Sequence, residues 1–216
     1  RDTGDDSGTV VKTMPVPELT VAQLQEVLQG FLGQQLQMPP MYSAVKINGQ
    51  KLYQLARKGV EVERQARPIE IYKLELLDFN RTKFTVAVEC SKGTYIRVLG
   101  EDIATALGTC GTMSFLLRTQ VGSYLLNEAH TLQEIAANPQ GCCAKPISAV
   151  SHLPRLALTA NQAARITNGV RTTVNGTADG QYALLGPGNE FLGIGKCVEC
   201  KVQAEKIFQH YTLDDK

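Results

Sequence analysis

Two short stretches of this sequence carry side chains suited to chemistry. In Cys90-Ser-Lys-Gly-Thr-Tyr-Ile-Arg97, a polar break on a glycine stands at the end of a strand pattern. A phenol and a guanidinium follow two positions apart. Side chains alternate along a strand, so Tyr95 and Arg97 are expected to project from one face. A flat ring beside a permanent positive charge suits a pocket that stacks on a base and holds an anion or a carboxylate. Gly93 lets the backbone come close to a ligand. A tyrosine packed on the sheet and an arginine in a structural ion pair would use the same residues, and these eight positions leave both readings open.

The second stretch runs from Pro39-Pro-Met-Tyr-Ser-Ala-Val-Lys46 through Lys51-Leu-Tyr-Gln-Leu-Ala-Arg-Lys-Gly59 to Val62-Glu-Arg-Gln-Ala-Arg-Pro-Ile69. It gathers Lys46, Lys51, Arg57, Lys58, Arg64 and Arg67 around Tyr42 and Tyr53. Cations interleaved with aromatic rings hold phosphates and stack on unpaired bases. A solvated surface loop is the competing reading, and composition weighs the two evenly.

The elements that position these residues can be read from capping and periodicity. Thr20 to Gln23 forms a capping box, and Val21, Leu24, Leu28 and Phe31 recur at helical spacing until Gly33. The prolines at 39 and 40 forbid a helix and force an extended path. Asn48-Gly49 makes a turn, and Leu52, Leu55 and Ala56 suggest a short helix ending at Gly59. The basic stretch has too little apolar content for a core and should project as an insertion, about residues 38–68. Strands are expected over 69–79 and 84–90, paired as a hairpin. Residues 95–107 read as a strand end entering a helix closed by Gly108, and 113–119 as another strand. The opening Arg1 to Gly8 reads as a turn between strands, and Asp2, Asp5 and Asp6 lack the downstream Glu of a calcium loop. Thr131 and Glu134 form a second capping box. Prolines and small residues near 146–154 mark a boundary, giving domains 1–149 and 150–216. The second should be small and β-rich, with a helix capped by Thr159 and Gln162 and strands around 181–185, 191–195 and 198–208.

The chain has 216 residues, 43% hydrophobic and 20% charged, enough for one core and an appendage. Its net charge of +1 excludes a uniformly basic surface, so any nucleic-acid contact must come from local clustering. No apolar run reaches the length of a membrane span and the amino terminus lacks a signal pattern, so neither secretion nor membrane insertion is expected. The six cysteines fit a reducing cytoplasm. Cys197 and Cys200 form a lone C-x-x-C, and His130, His152 and His210 lack ligand spacing, so no metal is expected.

Both stretches resemble the TruB family of tRNA pseudouridine synthases. The basic stretch is similar to the family's thumb insertion, which grips the T stem-loop of tRNA, and Cys90 to Arg97 is similar to the motif around the family's active-site arginine. Arg1-Asp-Thr-Gly-Asp-Asp-Ser-Gly8 resembles the strand turn before the thumb, and the tail resembles a small PUA-like domain. The resemblance implies an α+β fold with a mixed, mostly antiparallel sheet, and an isomerase acting on uridine 55 of the T loop by base flipping, without cofactors. It implies that Arg97 pairs with the nucleophilic aspartate, that Tyr95 walls the uridine pocket and that Leu116, in Phe115-Leu-Leu-Arg118, packs on the flipped base. Tyr42, Lys46, Lys51, Tyr53, Arg57, Lys58, Arg64, Arg67, Lys92 and Arg118 become candidate RNA contacts. The family's nucleophile lies in a Gly-His-x-Gly-x-Leu-Asp-Pro motif that has no match here. The expectation is therefore a cytoplasmic fragment, monomeric when complete, whose partner would be its own amino-terminal part. Asp102 reads as a solvated first-turn acid rather than a substitute nucleophile. A non-catalytic RNA-binding or RNA-folding module is the rival reading, and a redox protein built on Cys197 and Cys200 a third.

Overall fold

The computed structural model describes residues 1–209, so His210 lies outside the described residues. The chain forms two compact units, 1–121 and 122–216, each described by itself. The expected boundary near 150 falls inside the second unit, just before that unit's main sheet begins at Arg155.

In the first unit, helix α1 (Val21–Gln29) starts at the Thr20–Gln23 capping box, with both reciprocal bonds made. Strand β1 (Gly33–Gln37) follows, then the insertion, then β4 (Arg67–Asn80), β5 (Lys83–Cys90) and helix α3 (Ile96–Ala106). The sheet order is β1-β4-β5, with every pairing antiparallel. Leu24 and Leu28 of α1, and Leu99 and Ile103 of α3, repeat at i, i+4. They form one core with Ile69, Ile71 and Leu74 of β4. Two bulges keep the long strand β4 on that core: register shifts between Ile71 and Lys73 and between Leu76 and Asp78 each change the parity of the alternation. The inward set therefore runs Ile69, Ile71, then Leu74, Leu76, then Phe79, while Tyr72 and Leu77 face solvent.

The insertion holds a two-stranded hairpin, β2 (Lys46–Ile47) and β3 (Gln50–Lys51), followed by the short helix α2 (Leu52–Ala56). Its turn is Asn48-Gly49, both at positive φ (49° and 80°), the pairing a two-residue hairpin loop selects. Leu52 is fully buried and anchors the insertion. The chain leaves this unit through β6 (Gln120–Val121) and continues into β7 (Tyr124–Leu125).

Three expectations are corrected in this unit. Residues 95–107 contain no strand: Tyr95 is the N-cap of α3 and Arg97 lies in its first turn, so the two-residue alternation does not relate them. Residues 113–119 are not a strand either; Met113 makes one isolated parallel bridge with Asp5. Asp102 sits in the second turn of α3 rather than the first, and is exposed.

In the second unit, α4 (Leu132–Ala137) begins at the Thr131–Glu134 capping box. Beyond it, β8 (Arg155–Ala157), β9 (Thr172–Thr173), β10 (Gly180–Leu185), β11 (Phe191–Val198) and β12 (Lys201–Ile207) form a sheet of order β8-β10-β11-β12-β9, and helix α5 (Ala160–Thr167) contributes Ala163 and Ile166 to its core. The β8–β10 pairing is parallel. Glu199 and Cys200, both at positive φ, turn β11 into β12, so the expected strand 198–208 begins only after a hairpin turn. Both sheets with their helices make the chain α+β and mostly antiparallel. No helix among the described residues is long and apolar enough to cross a membrane.

Candidate active site and nucleic-acid interface

The side chain of Arg97 joins three segments distant in sequence. Its Nη1 donates to the Thr3 carbonyl at 2.8 Å and to Asp5 Oδ2 at 3.1 Å, and its Nη2 donates to the Tyr42 carbonyl at 2.8 Å. The side chains of Arg97 and Asp5 are 23% and 26% exposed, so the pair is partly open to solvent rather than sealed in the interior. Gly4 lets the amino-terminal turn seat against α3. At φ +75° it is left-handed, and a Cβ there would stand 3.0 Å from Glu101 Oε1 and 3.4 Å from Arg97 Cβ.

Asp5 is a functional candidate that the sequence reading placed only in a turn. Its Oδ1 accepts hydrogen bonds from the Thr3 and Ser7 hydroxyls and from the Ser7 backbone N–H, and Oδ2 receives Arg97. The Ser7 hydroxyl, the Thr3 hydroxyl and, to a lesser extent, the Arg97 charge hold its carboxyl below the ordinary value of 3.8. The Thr-x-Asp-x-Ser spacing was the available signal, because short hydroxylic residues two positions either side of an aspartate favour such a turn. Glu101 packs against Gly4 beside Arg97, and burial raises its carboxyl, with the positive amino terminus and then the Arg97 charge acting against the rise.

Tyr95, half-buried, caps α3 with its backbone alone, and its side chain makes no capping bond. Its backbone is held by a side chain the sequence reading passed over. Gln37 accepts the Tyr95 N–H at 2.7 Å and donates to the Tyr95 carbonyl at 3.2 Å. Nothing in the run Gln34-Gln-Leu-Gln37 distinguishes that glutamine by type.

The insertion presents its cations outward. Lys46, Arg57, Lys58 and Arg67 are exposed, and Lys51 and Arg57 stand 5.7 and 5.4 Å from the centre of the Tyr53 ring. Gln50, Gln54, Arg57 and Lys58 line a hollow on this surface. Arg64 is tied to the Pro39 carbonyl at 3.0 Å and to Glu61, so it braces the base of the insertion. Tyr42 is half-buried, and its carbonyl links the insertion to Arg97. Lys92 is exposed on the turn before Tyr95. Leu116, 51% exposed, and Arg118 lie on the extended stretch after Met113, and no contact gathers them with Arg97.

Cys197 and Cys200 occupy the β11–β12 hairpin of the second unit, and each thiol donates to the Thr177 carbonyl at 3.6 Å. Burial raises the Cys197 thiol, the reverse of what activates a redox cysteine. Among the described residues, no group of three or more His, Cys, Asp or Glu could hold a metal ion.

Residues 1–96 match the family described as TruB family pseudouridylate synthase (N terminal domain), and residues 97–142 the tRNA pseudouridylate synthase B C-terminal domain. Over 216 residues the chain is 43% identical to the tRNA pseudouridine synthase B of Hydrogenovibrio crunogenus, covering 99% of this chain and 71% of that protein. It is 38% identical over 217 residues to the protein of the same name from Heliobacterium modesticaldum, covering 96% of this chain and 71% of that protein. A chain in a crystal structure of a Cbf5-Nop10-Gar1 complex has a similar fold, with a TM-score of 0.64 at 22% identity over 90% of this chain and 64% of that one.

Proposed function

The chain belongs to the TruB family of pseudouridine synthases, and from that membership we propose that it serves tRNA modification as an isomerase that converts uridine 55 of the T loop to pseudouridine. The observation that carries the reading is the guanidinium of Arg97, fixed between the amino-terminal turn and the root of a cationic insertion.

The target base is stacked in a folded loop, so it must be flipped out at a cost of roughly a few kcal/mol. Phosphate contacts from Lys46, Lys51, Arg57, Lys58, Arg67, Lys92 and Arg118, with stacking on Tyr42 and Tyr53, offset that cost. Tyr95 walls the pocket and Leu116 offers the base an apolar surface. The nucleophile of the reaction is an aspartate. It attacks or deprotonates the nucleoside, the N1–C1′ bond breaks, the base rotates, and a C5–C1′ bond forms as the C5 proton leaves to solvent and N1 regains one. Arg97 keeps that aspartate ionised by pairing with it. A guanidinium has five N–H donors, and those not engaged by Thr3, Asp5 and Tyr42 remain for a second carboxylate. Asp5, with both oxygens engaged, positions Arg97 and does not attack. The complete enzyme works in the cytoplasm as a monomer.

The test is tritium release from tRNA carrying 5-tritiated uridine, using the full-length gene product. Release of one tritium per T loop supports isomerisation. Tight binding of tRNA without release assigns the chain instead to a non-catalytic RNA-holding or RNA-folding role, which the cationic insertion could perform alone.

A further inference from the structure

We propose that Gln37 is a positioning residue, whose single carboxamide holds the Tyr95 backbone from both sides and thereby sets where the Tyr95 ring enters the site. The proposal rests on the reading of Tyr95 as a pocket wall and extends it to a residue that touches neither base nor phosphate.

Gln37 ends β1 and is 4% exposed. A buried amide retains its place only with its donor and acceptor both satisfied. Here both are satisfied by the backbone of one residue, 58 positions away in sequence: Oε1 takes the Tyr95 N–H and Nε2 gives to the Tyr95 carbonyl, so the amide spans the two peptides that flank the Tyr95 Cα. Tyr95 needs such an anchor. Strand β5 ends at Cys90, residues 91–94 form a turn with Gly93 at φ +88°, and α3 begins only at Ile96. The Tyr95 N–H therefore has neither a sheet partner nor a helical one. Its carbonyl already accepts the Leu99 N–H at 3.0 Å, and Gln37 adds the second bond that carbonyl can take.

The same segment grips the neighbouring catalytic candidate. Five residues beyond Gln37, the Tyr42 carbonyl receives Arg97 at 2.8 Å. Pro39 and Pro40 restrict the backbone between the two anchors. Residues 37–42 thus fix the Tyr95 backbone at one end and the Arg97 side chain at the other. A carboxamide carries a donor and an acceptor on one planar group at every pH, whereas a carboxyl does so only while protonated. Leucine offers neither, and an ionised carboxylate offers the acceptor while turning a negative oxygen toward the Tyr95 carbonyl.

The experiment uses full-length protein carrying 3-fluorotyrosine, as wild type, Gln37→Leu and Gln37→Glu, with the Tyr95 fluorine resonance assigned through Tyr95→Phe. In Gln37→Glu the introduced carboxyl is buried and faces a carbonyl, which favours its protonated form. Arg67, its register partner on β4, and Arg97, two residues past Tyr95, are the charges that act against that rise. Once protonated, the carboxyl donates again and both bonds return.

The expected result has three parts. Gln37→Leu shifts the Tyr95 resonance and lowers kcat about tenfold at every pH, the size of one lost hydrogen bond. KM for tRNA stays within about threefold, because the phosphate contacts are untouched. Gln37→Glu matches that loss at high pH and recovers toward wild type as pH falls, the resonance and the kcat ratio titrating together. An unmoved Tyr95 resonance, or a kcat ratio for Gln37→Glu that is flat with pH, overturns the proposal. If Gln37→Leu fails to fold, Gln37→Glu alone decides the question through its titration. If the resonance titrates while wild type itself releases no tritium, the anchor stands and the isomerase reading falls.

Discussion

The Arg97 guanidinium and the Asp5 carboxylate, 92 positions apart in sequence, meet at 3.1 Å where the amino-terminal turn crosses the first turn of α3. Because Asp5 is also held by Thr3 and Ser7, it presents a fixed anion to the arginine rather than a mobile one. Asp5→Asn keeps the shape and removes the charge. The expected outcome is a fall in kcat of about 10- to 100-fold, the scale of a charge-assisted hydrogen bond, with tRNA affinity little changed.

The same residue makes stability depend on pH. Its folded-state pKa is depressed, so its contribution is fully present above the ordinary value of 3.8 and is lost as pH falls through the lower folded value. Melting temperatures of wild type and Asp5→Asn should therefore converge as pH falls below about 3.8 and differ by a constant amount above it. A difference that grows toward acid would contradict this.

On the insertion, Lys46→Ala and Arg57→Ala should each weaken tRNA binding. Each should also reduce the slope of log affinity against log salt by about 0.7 to 0.9. Arg57→Ala also strips one cation from the Tyr53 ring, so its loss should exceed that of Lys46→Ala.

Packing predicts a contrast between two leucines. Leu28 is 1% exposed and lies in the core joining α1, α3 and β4, whereas Leu77 is 63% exposed on the outer face of β4. Denaturant unfolding should show Leu28→Ala costing about 2–5 kcal/mol and Leu77→Ala less than about 0.5 kcal/mol.

The double Cys197→Ser, Cys200→Ser variant, once folded, should retain pseudouridine formation, because no step assigned above uses either thiol. Each hydroxyl can still donate to the Thr177 carbonyl, and the buried Cys197 thiol is not one that burial activates. Loss of activity in a folded double variant would restore the redox reading.

What could be read from sequence was local. The Thr20–Gln23 box, the Asn48-Gly49 turn and the hairpin between β4 and β5 depend on residues within a few positions of one another, and their side chains specify them. What escaped was set at long range. Strand β1 is short and glutamine-rich, and exists because β4 pairs with it. Residues 95–97 read as the end of a strand running into a helix, yet the helix already starts at Ile96, and Leu99 and Ile103 are drawn into the core at helical spacing. The bulges of β4 and the turn at Glu199-Cys200 interrupt alternations that looked continuous. The role of Arg97 was suggested by family resemblance, but its bonds to Asp5, Thr3 and Tyr42 exist only once three separate segments are folded together.

The most direct test of the account compares single-turnover tritium release by full-length wild type and Arg97→Lys at equal occupancy with tRNA labelled at uridine carbon 5. Lysine keeps the charge but has one nitrogen where Arg97 uses two, so release should slow at least about 100-fold while tRNA binding changes less than about threefold. Release at the wild-type rate, or binding that falls in step with release, would contradict a role for Arg97 in the chemistry.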